Sequence, residues 1–284
     1  MAPPSVLRRR FFSIVPSLLA LLALFASTAF AAETPDLAPP KGVRLFVCGH
    51  SFHAYVGRLM PEIATAAGIT GQSVEVQFVG GSSVSQCRDY PDPNNTAKNY
   101  LNKGRVDVLT LSAHVKVMPD PAIEKFTDLA LEHNPKARVI LQISWLPLDG
   151  EYRTLKTPAQ TRPVLEEVTQ TFSKQVREIN AKHDHPVVFL VRAGDAVLEL
   201  RDMVLRGEVP GISQEKQLFV DGMGHPADAI RHLVSYCNYA AIYQRSPVGL
   251  TCFETDNADS KKLNRMLEEL AWKTVKAEPL SGVP

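Results

Sequence analysis

The chain has 284 residues, 45% of them hydrophobic, with 31 lysines and arginines against 30 aspartates and glutamates, for a formal charge of +1. That balance provides no electrostatic footprint for nucleic acid, and the apolar content excludes a chain disordered along its length. The length suits one large domain with a full core.

Arg8, Arg9 and Arg10 form a charged start, residues 14–26 an apolar stretch, and Ala29-Phe30-Ala31 a small-residue cleavage pattern. Residues 1–31 therefore read as a cleaved export signal, with an uncleaved membrane anchor as the alternative. The apolar run is short for a bilayer span. Cleavage removes three basic residues and no acidic one, taking the charge from +1 to −2. The expected location is the periplasm or the exterior, with no nucleic-acid partner and no stable membrane association after cleavage. Residues 32–41, with Pro35, Pro39 and Pro40, read as a linker, 42–278 as a single domain and 279–284 as a loose tail.

Five short runs are continuous in Val, Ile, Leu and Phe instead of alternating, which predicts buried strands at 43–48, 74–79, 106–111, 139–144 and 187–191. Between the first two, Val56, Leu59, Met60, Ile63, Ala64 and Ala67 fall at helical spacing. Pro61 is expected in that helix's first turn, leaving 52–60 as a looser entry, and Gly68 stops it. The segment 87–99 reads as a long Pro- and Asn-rich loop able to line a cleft. Helical stripes follow at 121–133 and 164–183, then at 229–241 and 263–270. A βαβα alternation calls for a parallel sheet with helices on both faces and ligands at the carboxyl ends of the strands.

Four cysteines allow three pairings. Cys237 with Cys252 is the preferred bridge, and Cys48, inside a strand, reads as a core thiol. No CxxC spacing is present.

Three stretches carry candidate chemistry. "VCGHSFHAY" places Gly49-His50-Ser51-Phe52 where the first strand ends, making Ser51 either a helix cap or a nucleophile. "VGGSSVSQ" places Gly80-Gly81 at the end of the second strand, either as a tight turn or as backbone amides open to an oxyanion. "VDGMGHPADAIRHL" sets Asp221 and His225 in a Gly-punctuated loop ahead of a helix, either as an Asx turn or as a base oriented by a carboxylate. His50 and His53 form an H-x-x-H pair that suggests substrate contact or plain surface placement, with a metal site involving Asp221 or His225 as the minor alternative. Trp145, at the end of the fourth strand, is a sugar platform or a core aromatic.

Taken together, Gly49-His50-Ser51-Phe52, Gly80-Gly81-Ser82-Ser83, Asp221 with His225-Pro226, and the run to Ser246-Pro247-Val248-Gly249 resemble the SGNH, or GDSL-type, hydrolases. The resemblance implies a three-layer α/β/α sandwich with a flavodoxin-like parallel sheet of about five strands. It also implies a Ser51, Asp221 and His225 triad, oxyanion donors at the Ser51 and Gly81 amides, and no cofactor or metal. Two features depart from the family. Its third block places an oxyanion Asn where "LSAHV" has Ser112 and His114, so His114 is the substitute donor; its acid and base are separated by two residues, here by three.

The expected function is an exported serine ester hydrolase acting on a small acyl ester of a carbohydrate. The alternative is a carbohydrate-binding protein on the same scaffold without catalysis.

Overall fold

The computed structural model describes Met1 and residues 38–284. The export signal and most of the linker therefore lie outside the described residues. Five parallel strands form one sheet in the order β2-β1-β3-β4-β5: β1 Arg44–Gly49, β2 Ser73–Phe78, β3 Val108–Ser112, β4 Arg138–Gln142 and β5 Val188–Val191. This is the doubly wound, flavodoxin-like order, and its reversal of direction falls between β1 and β3, where such sheets open a crevice at their carboxyl ends.

Side chains alternate across the sheet and feed two cores. Leu45, Val47, Val108, Ile140 and Val191 face α1 (Val56–Ala66), α6 (Ala193–Leu205), α7 (Asp228–Tyr243) and α8 (Ala258–Lys276). Phe46, Cys48, Leu109, Leu111, Val139 and Leu141 face α2 (Val84–Arg88), α3 (Thr96–Leu101), α4 (Ala122–His133) and α5 (Pro158–Asn180). The three-layer expectation is borne out. No helix among the described residues is long and apolar enough to cross a membrane.

Several elements differ from the sequence reading. β2 is not buried: among the described residues it is an edge strand paired only with β1, and Gln77 alone along it is buried. Pro61 lies within α1 instead of opening it. The helix is held by burial of Val56, Met60, Ile63 and Ala64, and it approaches the sheet so closely at Gly57 that a Cβ there would meet Val76 at 2.5 Å. α5 starts earlier, at Pro158, behind a Thr157–Gln160 capping box. The 87–99 loop holds the end of α2 and the first four residues of α3, and α6 follows β5 where no helix was expected.

The tail expectation is corrected as well. The Leu280 carbonyl accepts from Leu190 N–H of β5 at 2.9 Å, Gln244 Nε2 donates to the Gly282 carbonyl, and Ser281 is buried. Pairing supplies an otherwise unmet edge donor, so the segment docks. The Cys237–Cys252 bridge is also corrected, because all four cysteines are free. Cys237 turns into the core, where burial pushes its thiol up to about 12, whereas Cys252 meets the neighbouring Tyr236 hydroxyl at 3.4 Å.

Candidate active site

β1 runs out at Gly49, and the chain turns through residues 50–55 before α1, with His53 N–H and Ala54 N–H both returning to the His50 carbonyl. A Cβ at Gly49 would lie 3.0 Å from Ser112 Cβ and 3.2 Å from the His53 ring, so a side chain there would have to push one of them aside. The turn leaves Ser51 half-exposed at the sheet's carboxyl edge.

Ser51 Oγ lies 3.0 Å from His225 Nε2, and His225 Nδ1 lies 2.6 Å from Asp221 Oδ2. These partners assign the tautomer: Nδ1–H donates to the carboxylate, which leaves Nε2 to accept from the serine hydroxyl. The extra residue between Asp221 and His225 has a visible use. Asp221 Oδ1 accepts from the backbone N–H groups of Met223, Gly224 and His225 at 3.0–3.1 Å, so the acid orders its own loop while its second oxygen orients the base. The His225 ring bond, followed by that residue's backbone N–H, holds the carboxyl below the usual aspartate range. Gly224 sustains the turn at a φ of +95°, and the loop is closed by Val220 N–H to the His225 carbonyl and Leu148 N–H to the Met223 carbonyl.

Gly81, also left-handed at a φ of +62°, lines the same cleft as Ser51 and His114. Among the described residues the N–H groups of Ser51 and Gly81 meet no protein acceptor. His114 is half-buried; its Nδ1 accepts from Lys116 N–H, which puts its proton on Nε2. Burial, reinforced by Lys116, lowers its pKa and favours the neutral ring. The cleft encloses about 490 Å³, and Trp145, Ile143, Tyr152 and Val168 contribute much of its wall.

Three expected substrate contacts are placed differently. His53 is fully buried, with Nδ1 at 2.9 Å from Gln142 Oε1 and Nε2 at 2.9 Å from Thr110 Oγ1. Both nitrogens are taken, so it neither touches substrate nor is free to ligate a metal, and among the described residues no cluster of His, Cys, Asp or Glu is built to hold one. Burial takes His53 down to about 4 and His50 to about 3. His50 lines the cleft, but its nitrogens serve the fold: Nδ1 accepts from Phe52 N–H and Nε2–H donates to Ser112 Oγ. Trp145 is 3% exposed, stacks face to face on Phe52 at 4.6 Å, and spends its indole N–H on the Gly224 carbonyl. It braces the serine turn against the histidine loop and offers no open sugar platform.

Sequence reasoning missed the polar layer beneath this turn. Gln142 Nε2 donates to the Phe52 carbonyl and to Ser144 Oγ, and its Oε1 accepts from Asn238 Nδ2. Thr110 and Ser112 on β3 and Gln142 and Ser144 along and just past β4 share one face, which turns polar only at its carboxyl end. Their two-residue spacing inside apolar runs was the available signal.

No protein-family model matches the chain, and no curated protein does. Among solved structures it is similar to a protein described as a GDSL-like lipase from Parabacteroides merdae, at 11% identity over 69% of this chain and 94% of that one, with a TM-score of 0.47. It is also similar to a family 3 carbohydrate esterase from Clostridium thermocellum (12%, 72% and 96%, TM-score 0.44) and to phospholipase A1 from Streptomyces albidoflavus (12%, 66% and 93%, TM-score 0.40). At such identities the chemistry has to be read from the side chains.

Proposed function

We propose that the chain is an exported serine ester hydrolase of the SGNH type. The observation that carries this reading is the continuous line from Asp221 Oδ2 through the His225 ring to Ser51 Oγ, with bonds of 2.6 and 3.0 Å. His225 takes the serine proton as Oγ bonds to the ester carbonyl carbon. The resulting oxyanion rests on the N–H groups of Ser51 and Gly81 and on His114 Nε2–H. On collapse the bond to the alcohol oxygen breaks and His225 returns the proton to that oxygen. Water then attacks the acyl-enzyme, giving its proton to His225, and the acid leaves as Ser51 is re-formed. Export is supported by Arg8 to Arg10, the apolar 14–26 stretch and Ala29-Phe30-Ala31. An ester of a carbohydrate is compatible with an open cleft, although Trp145 is not its platform.

The test is p-nitrophenyl acetate hydrolysis by the wild-type protein and by the Ser51→Ala, His225→Ala and His114→Ala variants, with and without a chelator. Losses of at least about 10³-fold are expected for the first two, and of about 10²–10³-fold for the third. The chelator is expected to have no effect. Activity that survives Ser51→Ala would overturn the reading, and no wild-type activity on short and medium acyl esters would favour the binding-protein alternative.

A further inference from the structure

Ser51 stands at the junction of two depressions. Besides the cleft described above, a groove of about 620 Å³ runs away on the other side, past Tyr55, Arg58, Val76, Phe78, Val220 and Arg231, with His225 at its inner end. Val76, Phe78 and Val220 are 37%, 58% and 60% exposed, an unusual concentration of bare apolar surface beside a reactive serine. Their exposure has a structural origin, because β2 is an edge strand and Val220 sits on the loop that carries Asp221.

The charge of the groove is one-sided. Among the described residues that line it, none is acidic. Among the described residues Arg231 pairs only with the exposed Asp228, at 3.3 Å, and Arg58 forms no ion pair. Guanidinium groups bind carboxylates and phosphates through paired N–H donors.

The reaction geometry assigns each depression a part of the substrate. Gly81 and His114 line the cleft and not the groove, whereas His225 lines the groove and not the cleft. The oxyanion therefore turns toward the cleft, and the oxygen that receives the proton from His225 lies on the groove side. We infer that the groove is the alcohol subsite and selects a leaving group with an apolar, ring-sized body and an anionic substituent, seated on Val76, Phe78 and Val220 and paired with Arg58 and Arg231. The direction of cleavage rests on the esterase reading, but the anion site does not.

The test has a kinetic arm and a binding arm. At low salt, 4-acetoxybenzoate is expected to show a kcat/KM about tenfold above that of neutral 4-acetoxybenzamide. In an Arg58→Gln/Arg231→Gln double variant that ratio falls toward one, the larger loss falling on the anionic ester. In the binding arm, 4-hydroxybenzoate binds the Ser51→Ala protein by calorimetry and loses that affinity when both arginines are replaced; 4-hydroxyphenyl phosphate, run alongside, reports whether carboxylate or phosphate is preferred. Equal rates on the two esters, a preference that survives the double substitution, or a dimer that covers the groove in solution would overturn the inference. If neither ester is cleaved, the esterase reading fails alone and the calorimetry still decides the anion site.

Discussion

His53 stands four positions after Gly49 and His225 directly after Gly224, each in a turn that follows a glycine, and both were candidates for chemistry. What separates them is solvent and partners, neither of which residue type reveals. His225 faces Ser51 across a half-exposed gap, whereas His53 hangs beneath the turn with both nitrogens satisfied. The cost of that placement appears in acid. With its folded pKa taken down from 6.5 to about 4, the buried ring is neutral where the unfolded chain would already be protonated. Its contribution is intact above pH 6.5 and is lost as pH falls toward 4, by about 2 kcal/mol at pH 5. Urea unfolding at pH 7 and pH 5 should show this loss, and His53→Gln should have a flatter profile even if its stability at pH 7 is lower. A wild-type profile no steeper than the variant's would contradict the assignment. Ser51, Gly81, His114, Asp221 and His225 were legible because each stands at a strand end or in a Gly-marked turn. Gln142 was marked only by its two-residue spacing from Ser144, and Asn238, a single amide inside an apolar helix, gives no hint that it converges on Gln142.

Strands announced themselves through unbroken apolar runs, but β2 shows the limit of that signal, since Val74 and Val76 suit an edge as well as a centre. Only strand order, set by where the crossovers return, decides which strand lacks a neighbour. α6 was hidden differently, because its Ala193-Gly194-Asp195-Ala196 start continues the apolar run of β5 across the single residue Arg192. The most consequential element is the 219–226 loop, an unsupported turn in sequence that its own acid and two backbone bonds make rigid. Gly224 is its hinge of necessity. A Cβ there would meet Leu148 Cγ at 2.9 Å in a backbone conformation unfavourable to L residues. Gly224→Ala should therefore lower kcat by about 10–10²-fold, as expected when a catalytic group moves by about an ångström, with a smaller effect on KM. An unchanged kcat would show that Asp221 does not depend on this turn.

At the scale of the molecule, composition and alternation gave one α/β domain, and the sheet order adds the crevice between β1 and β3 where Ser51 sits. The docked tail could not be read from Pro279–Pro284, a short Pro- and Gly-bearing segment whose anchorage comes from an unmet donor on β5. Deleting residues 279–284 removes the Leu280 contacts, the Leu190 bond and buried Ser281, and should lower the melting temperature by about 5–10 °C. None of these residues lines the cleft or the groove, so the rate of the proposed ester hydrolysis at 25 °C should not change. Melting at the wild-type temperature would return the tail to the status of a loose end.

The tail also makes the two margins of the sheet unequal. A strand from another molecule finds part of the β5 margin already occupied by the chain itself, while β2 presents its outer backbone groups without a partner strand. The bond from Leu190 to Leu280 thus takes one donor out of reach at the β5 margin and leaves β2, whose Val76 and Phe78 line the groove, as the open margin of the sheet among the described residues.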